Sequence, residues 1–136
     1  MSETTNPPVM TGVTPYLTVR GASDASAFYQ KAFAAEELMR QADDKSGKLI
    51  HCHLRINGAD VMMSDEFPEY GMSLGDGPNG VTLHLQVDDA DAWFERAVGA
   101  GATVTMPIAD QFWGDRYGQL KDPFGHGWSI GSSPKK

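Results

Sequence analysis

Three histidines are the residues of this chain best suited to acid–base or metal chemistry. His51 and His53 lie two positions apart in the segment Leu49–Leu54, and alternate residues of a strand project to the same face. Together with His84 they could hold a divalent metal ion, although a strand face with several histidines is also commonly just polar and solvated. Imidazole titrates near neutral pH, so His51 is a candidate general base as well.

Two acidic residues offer a second source of acid–base chemistry. Asp65 and Glu66 follow the short apolar segment 61–64. A carboxylate at the end of a strand can accept a proton from a ligand beside it, so both are candidate bases that could act with His51. The alternative is that they only solvate the end of a strand.

A short segment rich in aromatic residues offers binding chemistry. Trp113 and Tyr117 could stack on a planar ligand, and Arg116 between them could clamp a carboxylate. A structural role is equally open, with Asp115 pairing with Arg116 and Trp113 covering the core. In the strand that follows, Trp128 and Ile130 share a face that we expect to be core, and Ser129 takes the other face.

Composition limits the classes of function. The 136 residues are 40% apolar and 21% charged, which predicts one folded domain. The net charge of −7 and a pI near 4.9 exclude nucleic acid and anionic membranes as expected partners. The single cysteine, Cys52, allows no internal disulfide, and the N-terminal residues lack the pattern of a signal peptide. We therefore expect a soluble cytoplasmic protein.

The residues named above fall within an internal repeat. Segment 12–19 begins Gly-Val-Thr and alternates apolar and polar residues as a strand does, and segment 80–87 begins and alternates in the same way. Each is followed by a predicted helix, capped by Ser23 or Asp24 in the first copy and by Asp88 or Asp89 in the second. The apolar positions of the two helices are predicted to be Ala27, Phe28, Ala32 and Phe33, and then Ala92, Trp93 and Ala97.

The strands after each helix complete two modules. Asn57-Gly58 predicts a hairpin between strands 48–56 and 59–64. In the second copy we expect strands at 103–106, 117–121 and 127–131. The fold class is therefore α+β, with two βαβββ modules that form a curved mixed sheet and carry their helices outside. The expected organisation is a flexible N-terminus (1–10), one domain (11–131, with module one 11–66, a linker 67–79 and module two 80–131) and a tail (132–136).

The segment 112–130, with its Asp-Pro-Phe-Gly turn, resembles the glyoxalase-like branch of the vicinal oxygen chelate superfamily, which includes glyoxalases, bleomycin-resistance proteins and dioxygenases. Segments 49–54 and 62–66 are similar to the same branch, and the resemblance covers about residues 11–131. Metal-using members take His, Gln or Glu ligands from the first and last strands of each half. By register these positions are Thr14, Met62, Thr82 and Ser129, which bind such metals poorly.

The resemblance therefore implies a protein without metal or cofactor. As in drug-binding resistance proteins of this fold, the expected function is to bind and sequester a small molecule in the concave face of the sheet, as a homodimer. The expected ligand-binding residues are Tyr16, His51, His53, Met62, His84, Trp113, Arg116, Tyr117 and Ser129. The alternative is a lyase, isomerase or dioxygenase that uses His51 with Asp65 or Glu66, or an unusual metal site at His51, His53 and His84.

Overall fold

A computed structural model describes residues 12–134. The predicted flexible N-terminus, residues 1–10, and the last two residues of the predicted tail lie outside this range. Chain contacts divide the described residues into two compact units, one of residues 12–30 and 35–73 and the other of residues 31–34 and 74–134. The division after Ser73 falls inside the predicted linker. No helix among the described residues is long and apolar enough to span a membrane.

The first module has the predicted order of one strand, one helix and three strands. Its elements are β1 (Tyr16–Val19), α1 (Ala22–Phe33), β2 (Glu36–Ala42), β3 (Leu49–Ile56) and β4 (Ala59–Asp65), followed by a short 3-10 helix at Pro68–Tyr70. The sheet order is β1-β4-β3-β2, with β1 parallel to β4 and the other pairs antiparallel. The Asn57-Gly58 hairpin between β3 and β4 is confirmed, and both of its residues have positive φ.

The second module repeats this arrangement. Its elements are β5 (Thr82–Gln86), α2 (Ala90–Ala100), β6 (Thr103–Asp110), β7 (Arg116–Lys121) and β8 (Gly127–Ser132). The sheet order is β5-β8-β7-β6, again with a parallel pair made by the first and last strands. The prediction of two βαβββ modules is confirmed. The strand expected at 103–106 continues to Asp110.

The two helices begin in different ways. The prediction that Ser23 or Asp24 caps α1 was wrong, because Asp65 from the end of β4 takes this role: its Oδ1 accepts hydrogen bonds from the backbone N–H of Gly21 and Ala22 at 2.8 and 2.9 Å. Sequence reasoning could not find this cap, because it comes from a residue 43 positions away. α2 starts as predicted, with the side chain of Asp89 accepting from Ala92 N–H at 3.1 Å.

The buried faces of the helices also differ in part from the prediction. Ala32 and Phe33 are buried as expected, but Ala27 is exposed and Tyr29 occupies the core. In α2 the buried aromatic residue is Phe94 rather than Trp93. Helical periodicity indicates that a helix has an apolar face. Where two aromatic residues are adjacent, as in Phe28-Tyr29 and Trp93-Phe94, it does not decide which of the two faces the core. The expected core position of Trp128 is confirmed at 2% exposure, and Cys52 is fully buried as well.

α2 packs closely on the second sheet at Gly118. A Cβ atom added to this residue would lie 2.7 Å from Cε1 of Phe94 and 2.9 Å from Cα of Ile108. These distances are too short for any side chain, so glycine is what allows the helix and strand β6 to approach β7. Because strand side chains alternate, Tyr117 and Gln119 project to the face of the sheet opposite to α2.

The close approach at Gly118 gives a stability prediction. Gly118→Ala should lower the free energy of unfolding by about 1–3 kcal/mol, because the added methyl group overpacks the contact with Phe94 and the Ile108 backbone. Gly99→Ala is the matched control, since this helical glycine has no atom within 4 Å of its Cβ position and alanine is the better helix former. Urea unfolding should show Gly99→Ala unchanged or up to about 1 kcal/mol more stable. Equal effects of the two substitutions would contradict this packing.

Candidate ligand-binding faces

The parallel pairs place one residue of the first strand beside one residue of the last strand in each module. Tyr16 is the partner of Met62, and His84 is the partner of Ser129. From the sequence, the family's ligand positions on the first strand of each module were assigned to Thr14 and Thr82. The register instead places Tyr16 and His84, two residues further along the chain, beside Met62 and Ser129, while Thr82 pairs with Gly127. A parallel register depends on the whole crossover connection, which strand patterns alone do not determine.

The first module presents Tyr16, His51, His53 and Met62 on the face that lies opposite the core side chains of β3. His53 and Met62 are register partners, whereas Cys52 and Met63 face the other side. The Tyr16 hydroxyl lies 3.0 Å from Nδ1 of His51. Desolvation by burial, together with the neighbouring His53, lowers the pKa of His51, and burial raises the pKa of Tyr16. Both side chains are therefore neutral at pH 7.

His53 is buried with an unsatisfied nitrogen. It is 1% exposed, and its Nε2 has no hydrogen-bond partner among the described residues. The Oδ1 atom of Asp60 is 3.5 Å away from that nitrogen and accepts a shorter bond, of 3.0 Å, from Nε of Arg55. A buried imidazole nitrogen that makes no hydrogen bond lowers the stability of the folded state. The position of His53 is therefore an energetic cost to the fold.

The two candidate carboxylate bases are held by other contacts. Oδ2 of Asp65 accepts a bond of 2.8 Å from Leu49 N–H, in addition to the two amides at the start of α1. Glu66 accepts a bond of 2.6 Å from Nε of Arg20. Asp65 is 6% exposed and pairs in register with Val19, which faces the core. We therefore do not place Asp65 among the groups that meet a ligand.

The second module holds His84 by both ring nitrogens. Nδ1 lies 2.7 Å from the Ser129 hydroxyl, and Nε2 lies 2.7 Å from Oε1 of Gln86. Because an amide oxygen only accepts, Nε2 donates to Gln86, and in the neutral ring Nδ1 accepts from the Ser129 hydroxyl. The amide nitrogen of Gln86 in turn donates to the Ser133 hydroxyl at 3.2 Å. Both ring nitrogens of His84 are therefore engaged by neighbouring side chains.

A row of rings extends from His84. Its ring stacks against Tyr117 with centroids 5.8 Å apart and planes at 23°, and the ring of Trp113 contacts that of Tyr117 edge-on, with centroids 5.4 Å apart and planes at 73°. Trp113 is 48% exposed. Gln119 donates to the Tyr117 hydroxyl at 3.0 Å and fixes the ring. We call these four residues, with Gln86 and Ser129, the ring face of the second module.

Gly131 provides the space for the ring face. A Cβ atom there would be 3.1 Å from Cε1 of His84 and 3.4 Å from Cδ2 of Tyr117. The two rings can approach each other only because strand β8 carries no side chain between them. The sequence analysis did not name Gln86, Gln119 and Gly131 as site residues. Strand alternation could have found the two glutamines, because each lies two positions after a predicted site residue, His84 or Tyr117, and so shares its face.

Arg116 is engaged away from the ring face. Its Nε and Nη2 atoms each lie 3.2 Å from the carboxylate of Asp91, and its Nη1 lies 3.3 Å from Asp110. Asp91 is in the first turn of α2, which packs on the opposite side of the sheet. The guanidinium expected to clamp a ligand beside Tyr117 thus has other partners, and we leave it out of the ring face.

The described residues contain no group of three His, Cys, Asp or Glu side chains arranged to hold a metal ion. His51 and His53 belong to one compact unit and His84 to the other, so the metal site at these three residues that the sequence left open stays a prediction. Cys52 adds no reactive group, because burial and the carboxylate of Glu37 raise the pKa of its thiol to about 11. Such a thiol stays protonated at neutral pH.

Two βαβββ modules, each with a parallel pair between its first and last strands, define a glyoxalase-like fold. The chain belongs to the Glyoxalase/Bleomycin resistance protein/Dioxygenase superfamily, whose family model matches residues 10–130. This confirms the resemblance stated from the sequence.

Known relatives share most of the chain. An uncharacterised protein of Mycobacterium bovis is 51% identical over 126 residues, which cover 88% of this chain and 81% of that protein. The protein YjdN of Escherichia coli is 31% identical over 141 residues, with 87% of this chain and 92% of that protein covered. The crystal structure of TioX from Micromonospora sp. ML1 superposes with a TM-score of 0.71 at 25% identity, covering 93% of this chain and 98% of that one.

The lowered pKa of His51 predicts a pH effect. The folded protein resists protonation of this imidazole, whereas the unfolded chain binds a proton near pH 6.5. The free energy of unfolding that depends on the neutral ring is therefore present above pH 6.5 and is lost as the pH falls. NMR titration of the imidazole should give a midpoint below 6.5. Chemical unfolding at descending pH should show a smaller loss of stability in His51→Gln than in the unsubstituted protein. A midpoint at or above the ordinary value would contradict the burial of His51.

Proposed function

We propose that the protein binds a small planar molecule on the ring face of its second module and holds it without chemical change. The observation that carries this proposal is the row His84–Tyr117–Trp113, in which neighbouring rings lie within contact distance and Trp113 is half exposed, with the exposed ring of Phe112 5.0 Å from it. Rigid aromatic side chains give a large contact area at a low cost in conformational entropy. A planar ligand can extend this row beyond Trp113 or lie along it.

The hydrogen bonds of His84 favour binding over chemistry. A general base needs a free lone pair and a metal ligand needs the same, but Nδ1 of His84 already accepts from Ser129 and Nε2 already donates to Gln86. Either reaction would first have to break a bond of 2.7 Å. A fixed ring of this kind is suited to packing and recognition.

The first module adds a second set of candidate contacts. Tyr16, His51, His53 and Met62 share one face of its sheet, and Tyr16 is 44% exposed. A phenol, an imidazole and a thioether offer apolar contact together with hydrogen bonds. We propose Tyr16, His51 and Met62 as ligand contacts, with the ring face as the primary site. His53 was expected among them, but at 1% exposure it offers a ligand no accessible surface.

The ring face is tested by paired tryptophan variants. Trp113→Ala should weaken binding of planar aromatic compounds, including antibiotics, roughly tenfold or more, because it removes a stacking partner and the area it covers. Trp93→Ala is the matched control, since Trp93 lies on α2, on the other side of the sheet, with Arg96 over its ring at 5.2 Å. Calorimetric titration with hits from a fluorescence screen measures both.

Two results would contradict the proposal. One is equal loss of affinity in Trp113→Ala and Trp93→Ala at unchanged thermal stability, which would place binding elsewhere. The other is conversion of the bound compound: mass spectrometry of ligand recovered after long incubation should return it unaltered.

A metal-free enzyme is the second candidate, and the geometry of His51 favours it. Its imidazole is neutral at pH 7, its Nδ1 is held by Tyr16, and within the described part of the chain its Nε2 has no hydrogen bond. In the tautomer whose Nδ1–H donates to the Tyr16 hydroxyl oxygen, Nε2 keeps a free lone pair, which is what a general base requires. Turnover of any screened compound that His51→Gln abolishes while Tyr16→Phe only reduces it would establish this function in place of sequestration.

We also propose that the protein is a homodimer. β2 and β6 each pair with one strand among the described residues, and β6 exposes Val104 and Met106 at 41% and 37%. Edge strands with exposed apolar side chains favour pairing with a second chain. Sedimentation velocity should therefore give about twice the chain mass of 14.7 kDa. A single species at the chain mass would exclude the dimer.

A further inference from the structure

The ring face continues into a small pocket at one end of the second sheet. The pocket has a volume of about 120 Å³ and lies where β7 ends and β8 begins. Its polar lining residues are Thr82, Thr105, Gln119 and Lys121. Gly127, which pairs with both Thr82 and Lys121, leaves the floor of the pocket without a side chain.

The pocket contains a cation without an acidic partner. Four arginines of the chain are paired with carboxylates, namely Arg20 with Glu66, Arg40 with Glu37, Arg55 with Asp60 and Arg116 with Asp91. Lys121 has no ion pair or hydrogen bond of its side chain within residues 12–134. Acidic residues are abundant in a protein of net charge −7, so a lysine that lines a pocket with two threonines and has no acidic partner in the described part of the chain is a place where an anion is favoured.

The strand geometry connects this pocket to the rings. Tyr117, Gln119 and Lys121 alternate along β7 and therefore share one face. At roughly 3.3 Å per residue, the ends of this series lie about 13 Å apart. Gln119 stands between them, and its amide nitrogen is used by Tyr117. A ligand on this face would have its planar part at Tyr117 and Trp113 and its other end at Lys121.

We propose that the ligand of the ring face is an elongated aromatic monocarboxylate, with its carboxylate bound by Lys121, Thr82 and Thr105. This inference rests on the proposed binding function and adds the chemical class of the ligand. One ammonium group balances one negative charge, and the two hydroxyls can donate to the carboxylate oxygens. A dianion such as a phosphate monoester would leave a charge uncompensated in an acidic protein, so the single lysine selects a monoanion.

The test compares a carboxylate with its neutral analogue. The probes are 4-phenylbenzoate and 4-phenylbenzamide, which have the same shape and differ in charge. The unsubstituted protein should bind the carboxylate roughly tenfold more tightly than the amide, as expected for a charge-assisted hydrogen bond. Added salt should reduce this preference, because the pocket is open to solvent.

Three variants test whether Lys121 is the origin of the preference for the carboxylate probe over the amide. Lys121→Met keeps the length of the side chain but removes the charge, and it should bind both probes with the affinity that the unsubstituted protein has for the amide. Lys121→Arg should retain a preference for the carboxylate. Lys45→Met makes the same change of net charge in the turn between β2 and β3 and should leave the preference unchanged. Thermal unfolding midpoints close to that of the unsubstituted protein show that each variant is folded.

The outcomes separate this inference from the proposed function. Loss of the carboxylate preference in Lys121→Met alone supports the inference. Equal binding of both probes by the unsubstituted protein, lost in Trp113→Ala, overturns the carboxylate site and leaves the ring face intact. A preference that Lys121→Met retains also overturns it. Binding that is insensitive to Trp113→Ala, or no binding of either probe up to its solubility limit, overturns both proposals.

Discussion

The parallel pairing of the first and last strands of each module is the constraint on which the rest of the structure depends. A parallel pair cannot be closed by a tight turn, so the chain must cross over, and in each module a helix and two further strands make that connection. The pairing brings residues 46 and 45 positions apart into contact, Tyr16 with Met62 and His84 with Ser129. Asp65 secures the first crossover, because its carboxylate joins the end of β4 to the start of α1 and of β3.

Local signals in the sequence predicted the elements well, and interactions distant in sequence account for what they missed. The Asn57-Gly58 hairpin, the Asp89 cap and the repeated strand pattern depend on residues a few positions apart, and all three are present. The positions beside Met62 and Ser129 were misplaced by two residues because parallel register is set by the crossover. The roles of Asp65 and Arg116 follow from partners in other elements, which composition and spacing do not reveal.

The two modules share a topology but differ in how their polar faces are satisfied. In the second module, a chain of hydrogen bonds joins Ser129, His84, Gln86 and Ser133. In the first, a buried nitrogen of His53 has no partner within residues 12–134 and lies beside a carboxylate that Arg55 already uses. A connected network rigidifies a surface, whereas an unsatisfied buried group is a cost that a fold retains at few places. The repeat has therefore kept its scaffold while the chemistry of its faces has diverged.

This divergence bears on what the second module can recognise. A ring with both nitrogens bonded offers a ligand only its faces and edges, so specificity there must come from shape and from groups at the ends of the face. Trp113 and Tyr117 supply an apolar surface at one end and Lys121 a charge at the other, and Tyr117 and Lys121 are about 13 Å apart at the usual rise of a strand. Stacking discriminates weakly among planar molecules, but a single unpaired ammonium group distinguishes an anion from a neutral analogue. The selectivity of such a surface thus depends more on one lysine at its edge than on the histidine at its centre.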